Sequence, residues 1–335
     1  MSELSNRQMI VRVVFHIVIL DLLLKTCFAK DVSQANFVFG DSLVDAGNNN
    51  YIASLFKADF ESNGIDFGGP TGRFMQMISG QELGLPGFTP PYLAPTTRGP
   101  VVLHGVNYAS GGAGILNHTG NIFVRLLPKL LQSSLFSVTM ESNDFINNYF
   151  TPIVSAEEQR LVPPEMFVAS MIARFRQQLT INFLTDSVLL KSKVDKWFPT
   201  VRLYNLGARK IIAVNVGPIG CIPYERDLNP TSGDNCATRP NQLAQQFNAE
   251  LRSLINELNI GLKGSILLYA DVYRIVDNII HNYRTYGFDS GSFACCYVDG
   301  RFGGLVPCGP SSKVSPDRSK SVFWDPFHPS ELLMS

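Results

Sequence analysis

The chain has 335 residues, 45% hydrophobic and 17% charged, which bounds it as a globular protein long enough for one large core. Lys plus Arg and Asp plus Glu both total 28, and the basic residues are scattered. That balance gives no electrostatic basis for binding nucleic acid or an anionic membrane surface.

Residues 1–29 read as a secretory signal peptide. Arg7 and Arg12 precede the apolar runs 13–20 and 22–24, and Cys27-Phe28-Ala29 puts small residues where a signal peptidase reads. The apolar stretch is too short, and too interrupted by Asp21, to span a membrane. The expectation is a secreted, extracellular domain over 30–335 with no stable membrane insertion. Loss of Cys27 leaves Cys221, Cys236, Cys295, Cys296 and Cys308. Five thiols allow at most two disulfides with one left over, and the pairing is not readable. Asn117-His118-Thr119 is an N-glycosylation sequon on a secreted chain. The five histidines are too dispersed for a metal site, and no cofactor is expected.

Short apolar runs followed by turn residues recur at 35–39, 101–106, 135–140, 210–216 and 265–269. Runs this short, rich in Val, Ile and Phe, predict buried strands of a parallel sheet. Helical patterns lie between them. Pro164 and Glu165 open one, whose face is marked by Phe167, Met171, Phe175 and Leu179. Leu243, Phe247, Leu251, Leu254, Ile255 and Leu258 mark another. The alternation predicts a three-layer α/β/α sandwich in one domain.

The first run leads into Gly40-Asp41-Ser42 and then Asp45-Ala46-Gly47-Asn48-Asn49-Asn50. This would lift Ser42 to the carboxyl end of a strand, where open α/β sheets place their ligand sites. His328 is the natural base for that hydroxyl, and Asp325, three residues earlier, can orient the imidazole. The N–H of Ser42, an N–H in Ser110-Gly111-Gly112-Ala113-Gly114 and the amide of Asn143 are candidate donors to an oxyanion. Taken singly, each has a plainer use: Ser42 as a helix cap, the glycine run as a turn, Asn143 as a cap and His328 as a surface histidine. Their combination in this order is far more specific.

Phe39-Gly40-Asp41-Ser42-Leu43, the stretch 105–114, Ser142-Asn143-Asp144 and Asp325-Pro326-Phe327-His328-Pro329 together resemble the four blocks of plant-type GDSL esterase/lipases of the SGNH hydrolase superfamily. The stretches 204–210 and 215–221 are typical of the same branch. The resemblance covers nearly all of the chain after residue 29. It implies a flavodoxin-like fold, no cofactor, a Ser42–Asp325–His328 triad, and an oxyanion hole from Ser42, Gly111 and Asn143, with Gly112 as the alternate to Gly111. The leading expectation is a secreted serine carboxylic-ester hydrolase acting on small-molecule or lipid esters through an acyl-enzyme. The pattern also breaks. Glu141 stands where relatives carry glycine, and a carboxylate there opposes a developing oxyanion. The stretch 115–134 looks short, 181–201 looks inserted, Arg73 lacks the polar turn that follows it in relatives, Ser315 replaces a cysteine, and the closing helix is absent. These departures motivate a second reading, a catalytically impaired binding or structural protein that keeps the fold. The natural substrate and the oligomeric state are not legible.

Overall fold

The computed structural model describes residues 35–54, 56–65, 69–73, 88–116, 134–139, 142–150, 159–179 and 203–330. The signal segment, Asn117, Glu141 and the 181–201 stretch lie outside the described residues.

Four parallel strands form the central sheet in the order β1 (Asn36–Gly40), β2 (Leu135–Thr139), β3 (Lys210–Val214), β4 (Ile266–Ala270). Both ends of this register are in phase: Asn36 pairs with Leu135, Leu135 with Lys210 and Lys210 with Ile266. β1 and β2 are buried along their whole length, as strands covered on both faces must be. Successive side chains of β1 alternate faces. Phe37 and Phe39 enter the main core, and Phe37 stacks on Phe136 at 5.4 Å between ring centres. Val38 faces the other way, toward Val44 and Ala109.

The expected strand at 101–106 is not one. Gly99–His104 is a 3₁₀ helix with Pro100 in its first turn, and Pro at that position suits a helix start better than a strand interior. It ends at Gly105, whose φ is +109° and whose backbone lies so close to Asn36 that an added Cβ would sit 1.9 Å from the Asn36 carbonyl oxygen. Only glycine tolerates both conditions. The strand-like segment begins just after it. Val38 N–H donates to the Val106 carbonyl, Tyr108 N–H to Val38 and Ser110 N–H to Gly40, at 2.7–3.1 Å. The pairing is parallel at Val38 and Asn107. Counted as a fifth strand, this edge gives the chain order 2-1-3-4-5, the doubly wound flavodoxin-like order, in which the crevice opens at the carboxyl end of the first strand.

Helix α1 (Pro164–Leu179) buries Phe167, Met171, Phe175 and Leu179, the stripe read from its sequence. The long helix α2 (Thr238–Gly261) buries Leu243, Phe247, Leu251, Leu254, Ile255 and Leu258. Both contribute to the main core with Phe145 and Tyr149. Each fully buried phenylalanine is worth roughly 1.5–3 kcal/mol of transfer free energy. The carboxyl-terminal third adds β5 (Ser290–Ala294) paired in parallel with β6 (Ser321–Phe323). Disulfides join Cys221 to Cys236 and Cys296 to Cys308, and buried Cys295 belongs to neither.

Candidate active site

Ser42 lies two residues beyond β1. Gly40 makes that exit possible, since a Cβ there would stand 2.5 Å from the Thr139 carbonyl oxygen and 2.2 Å from Val44. The Asp41 N–H still donates to Thr139 at 3.0 Å, so the ladder runs to the last residue before the serine. The chain then turns: Val44 N–H returns to the Asp41 carbonyl, and Leu43 N–H donates to Asp41 Oδ1 at 3.0 Å. Ser42 is left half-buried in the turn.

The opposite wall comes from the loop after β6. Cys295 and Cys296 N–H groups donate to the Phe323 and Trp324 carbonyls, so β5 and the nearby Cys296–Cys308 bond hold the loop's base. Trp324 Nε1–H also donates to Asn63 Oδ1 at 2.7 Å. Within the loop, the Asp325 carboxylate accepts the N–H groups of Phe327 and His328, both at 2.8 Å. His328 Nδ1 lies 2.8 Å from Asp325 Oδ2, and His328 Nε2 lies 2.7 Å from Ser42 Oγ, across a separation of 286 residues. With Nδ1–H donated to the carboxylate, Nε2 is the acceptor for the serine O–H. Both Asp325 and His328 are buried. Burial pulls the imidazole pKa down, while the charge and hydrogen bond of Asp325, with a smaller contribution from Asp41, push it up; the net shift is upward.

Asp41 is a second buried carboxylate in the site. Its Oδ2 has no hydrogen-bond partner among the described residues. Desolvation raises its pKa to about 7, against the pull of the Leu43 N–H and of His328, and Asp144 pushes it further up.

The glycine loop differs from expectation at one atom. The Gly111 N–H donates to Asp45 Oδ2 at 3.1 Å, inside the protein, so that amide is already committed. Gly112, the alternate, is partly exposed with φ +85°, and its N–H has no acceptor among the described residues. The Ser42 N–H is in the same condition. Asn143 stands at the start of the π-helical turn Asp144–Tyr149. Its Nδ2 donates to the Ala113 carbonyl at 2.9 Å and its Oδ1 accepts from Asn147, which leaves one amide hydrogen. Asp144 fastens the two loops together by accepting the N–H groups of Ile115 and Leu116 at 2.6 and 3.1 Å.

A buried amide network supports this edge, and sequence reasoning assigned its members no role. Asp45 Oδ1 accepts Gly47 and Asn48 N–H at 2.8 and 2.7 Å. Asn48 Nδ2 donates to the Asn107 and Ala109 carbonyls, both at 2.8 Å, and Asn107 Nδ2 to the Val44 carbonyl at 2.6 Å. The signal was the density of Asn and Asp beside a strand end, more than a single turn uses.

A serine, a histidine and an aspartate joined in series beside the carboxyl end of a parallel strand form the arrangement that serine hydrolases use. The profile of the family described as GDSL-like lipase/acylhydrolase matches residues 37–333. Among similar Arabidopsis thaliana proteins, GDSL esterase/lipase At4g16230 is 50% identical, with 92% of this chain and 86% of that protein covered. GDSL esterase/lipase At3g50400 is 44% identical, covering 89% and 83%, and GDSL esterase/lipase 7 is 38% identical, covering 90% and 85%. The chain belongs to the GDSL-like lipase/acylhydrolase family, a family of ester hydrolases.

Proposed function

We propose that this protein is a secreted serine carboxylic-ester hydrolase that cleaves lipid or other acyl esters through an acyl-enzyme on Ser42. The observation that carries the reading is the unbroken chain from Ser42 Oγ to His328 to Asp325, at 2.7 and 2.8 Å. His328 Nε2 takes the hydroxyl proton as Oγ bonds to the ester carbonyl carbon, and Asp325 stabilises the imidazolium. The carbonyl oxygen gains the negative charge and is met by the Ser42 and Gly112 N–H groups and the remaining amide hydrogen of Asn143. His328 then gives its proton to the departing alcohol. Water, deprotonated by the same nitrogen, attacks the acyl carbon, and Ser42 leaves with its proton restored.

Apolar rings beside the glycine loop and beside His328 support an acyl substrate. Phe56 is 51% exposed, and its ring lies against Gly112, 3.2 Å from where a Cβ would stand. Phe327, next to His328, packs on Tyr224 at 4.8 Å. Secretion is supported by the pattern of residues 1–29 and by two disulfides in one domain. The impaired-protein reading leans on Glu141, which lies outside the described residues, and on the missing segments, and it gains nothing from the assembled triad.

The test is hydrolysis of a short-chain p-nitrophenyl ester by signal-free protein beside Ser42→Ala. The expected loss is about 10⁴-fold or more in kcat at unchanged circular dichroism. Equal rates from the two folded proteins would remove the esterase reading.

A further inference from the structure

The amide of Gly112 and the carbonyl of Gly111 belong to one planar peptide unit, and in a trans peptide they point in opposite directions. Whatever holds the carbonyl therefore aims the N–H. The holder is Asn49, which is 1% exposed and whose Nδ2 donates to the Gly111 oxygen at 2.9 Å. Three further contacts fix the Asn49 amide itself. Nδ2 also donates to the Phe56 carbonyl at 2.7 Å, and Oδ1 accepts the Ser110 hydroxyl at 2.6 Å. A weaker contact to Ser54 Oγ stands at 3.4 Å. With its donors on carbonyls and its acceptor on a hydroxyl, the Asn49 amide has one orientation. The preceding amide is pinned separately, since Gly111 N–H is held by Asp45 Oδ2 at 3.1 Å. Both peptide units flanking Gly111 are thus tied to the first loop, and among the described residues the Gly112 N–H is the one backbone donor from Gly111 to Ala113 that has no acceptor.

The geometry points to Asn49 as a positioning residue for ester hydrolysis: by holding the Gly111 carbonyl it aims the Gly112 N–H at the oxygen of the tetrahedral intermediate. This rests on the reading of Ser42 as nucleophile. It adds a role for a side chain that touches neither substrate nor triad. The same amide holds Phe56 by its backbone, so one residue sets both the oxyanion donor and the apolar ring beside it.

The experiment separates aiming from folding by counting competent sites. Diethyl p-nitrophenyl phosphate forms an Oγ–phosphorus bond on a reactive serine and releases one p-nitrophenolate, so its burst counts active enzyme. Rates with p-nitrophenyl acetate are then expressed per titrated site. Asn49→Ala is expected to lower kcat per site by about 10²-fold, the order seen when an oxyanion donor is lost, with KM within about threefold. Ser110→Ala removes one bond to Asn49 and leaves the core untouched. It is expected to lower kcat per site several-fold at nearly unchanged melting temperature, and it decides the matter if Asn49→Ala does not fold. If both variants keep wild-type kcat per site and lose only the number of sites or thermal stability, Asn49 is structural and the proposal fails alone. A wild-type enzyme without a burst, or one matched by Ser42→Ala, brings down the nucleophile reading and this proposal together.

Discussion

Asp41 binds its proton more tightly in the fold, at about 7, than the value of 3.8 ordinary for the unfolded chain. Its ionisation costs the fold nothing below pH 3.8 and progressively more up to about pH 7, on the order of 4 kcal/mol in all. Asp41→Asn removes that slope. Its melting temperature relative to wild type is expected to rise between pH 5 and pH 8, and an offset constant with pH would refute the assignment. The same carboxylate helps hold the imidazolium of His328. Since the base must be neutral to act, kcat/KM in wild type should climb with pH through a midpoint above 6.5, and Asp41→Asn should move that midpoint down. A midpoint at or below 6.5 in wild type would mean that desolvation of His328 outweighs Asp325. Phe56 is expected to act on substrate choice instead. Its exposed ring beside Gly112 can cover part of an acyl chain, worth about 1–2 kcal/mol at 25 cal/mol per Å². Phe56→Ala should raise KM for a dodecanoyl p-nitrophenyl ester about tenfold and leave the acetyl ester within twofold; equal effects on both esters would place the ring elsewhere in the reaction.

At the scale of elements, Gly105 is the joint that lets the edge segment reach β1. Gly105→Ala meets the Asn36 carbonyl at 1.9 Å and a φ of +109° that alanine avoids. The segment 106–110 must then move away from β1, so the variant should lose several kcal/mol of stability and most activity in denaturant and esterase assays. Wild-type behaviour would show that the edge is pliable. This joint is also where the sequence reading and the structure part. Val101-Val102-Leu103 looks like a strand by composition, and Pro100 with Gly105 turned it into a helix; the true edge strand carries Asn107, Tyr108 and Ser110, whose polarity hid it. β1 to β4 were legible as short apolar runs bounded by turn residues, and α1 and α2 because each buries a periodic apolar face. Ser42, Asp325 and His328 were legible because their order and spacing are specific. Which glycine amide is committed inside the protein was not, because Gly111 N–H and C=O are held by Asp45 and Asn49, side chains far from that loop in sequence.

Across the whole molecule, the first loop carries Ser42 and its supports, while the disulfide-stapled carboxyl-terminal segment carries Asp325 and His328. The Cys296–Cys308 bond sits where β5 meets the loop of Asp325 and His328. Replacing both cysteines by serine should cost about 2–4 kcal/mol and make activity fail at lower temperature than the far-ultraviolet dichroism of the sheet. Coincident losses would mean that the staple and the sheet unfold as one unit. The 286 residues between Ser42 and His328 set a clock as well as a geometry. At about 5–20 residues per second, a ribosome makes the histidine roughly 15–60 s after the serine. On the proposed mechanism, the nascent chain for that interval holds an alcohol whose base has not yet been made, so esterase activity is expected only after the carboxyl-terminal segment has been synthesised and folded.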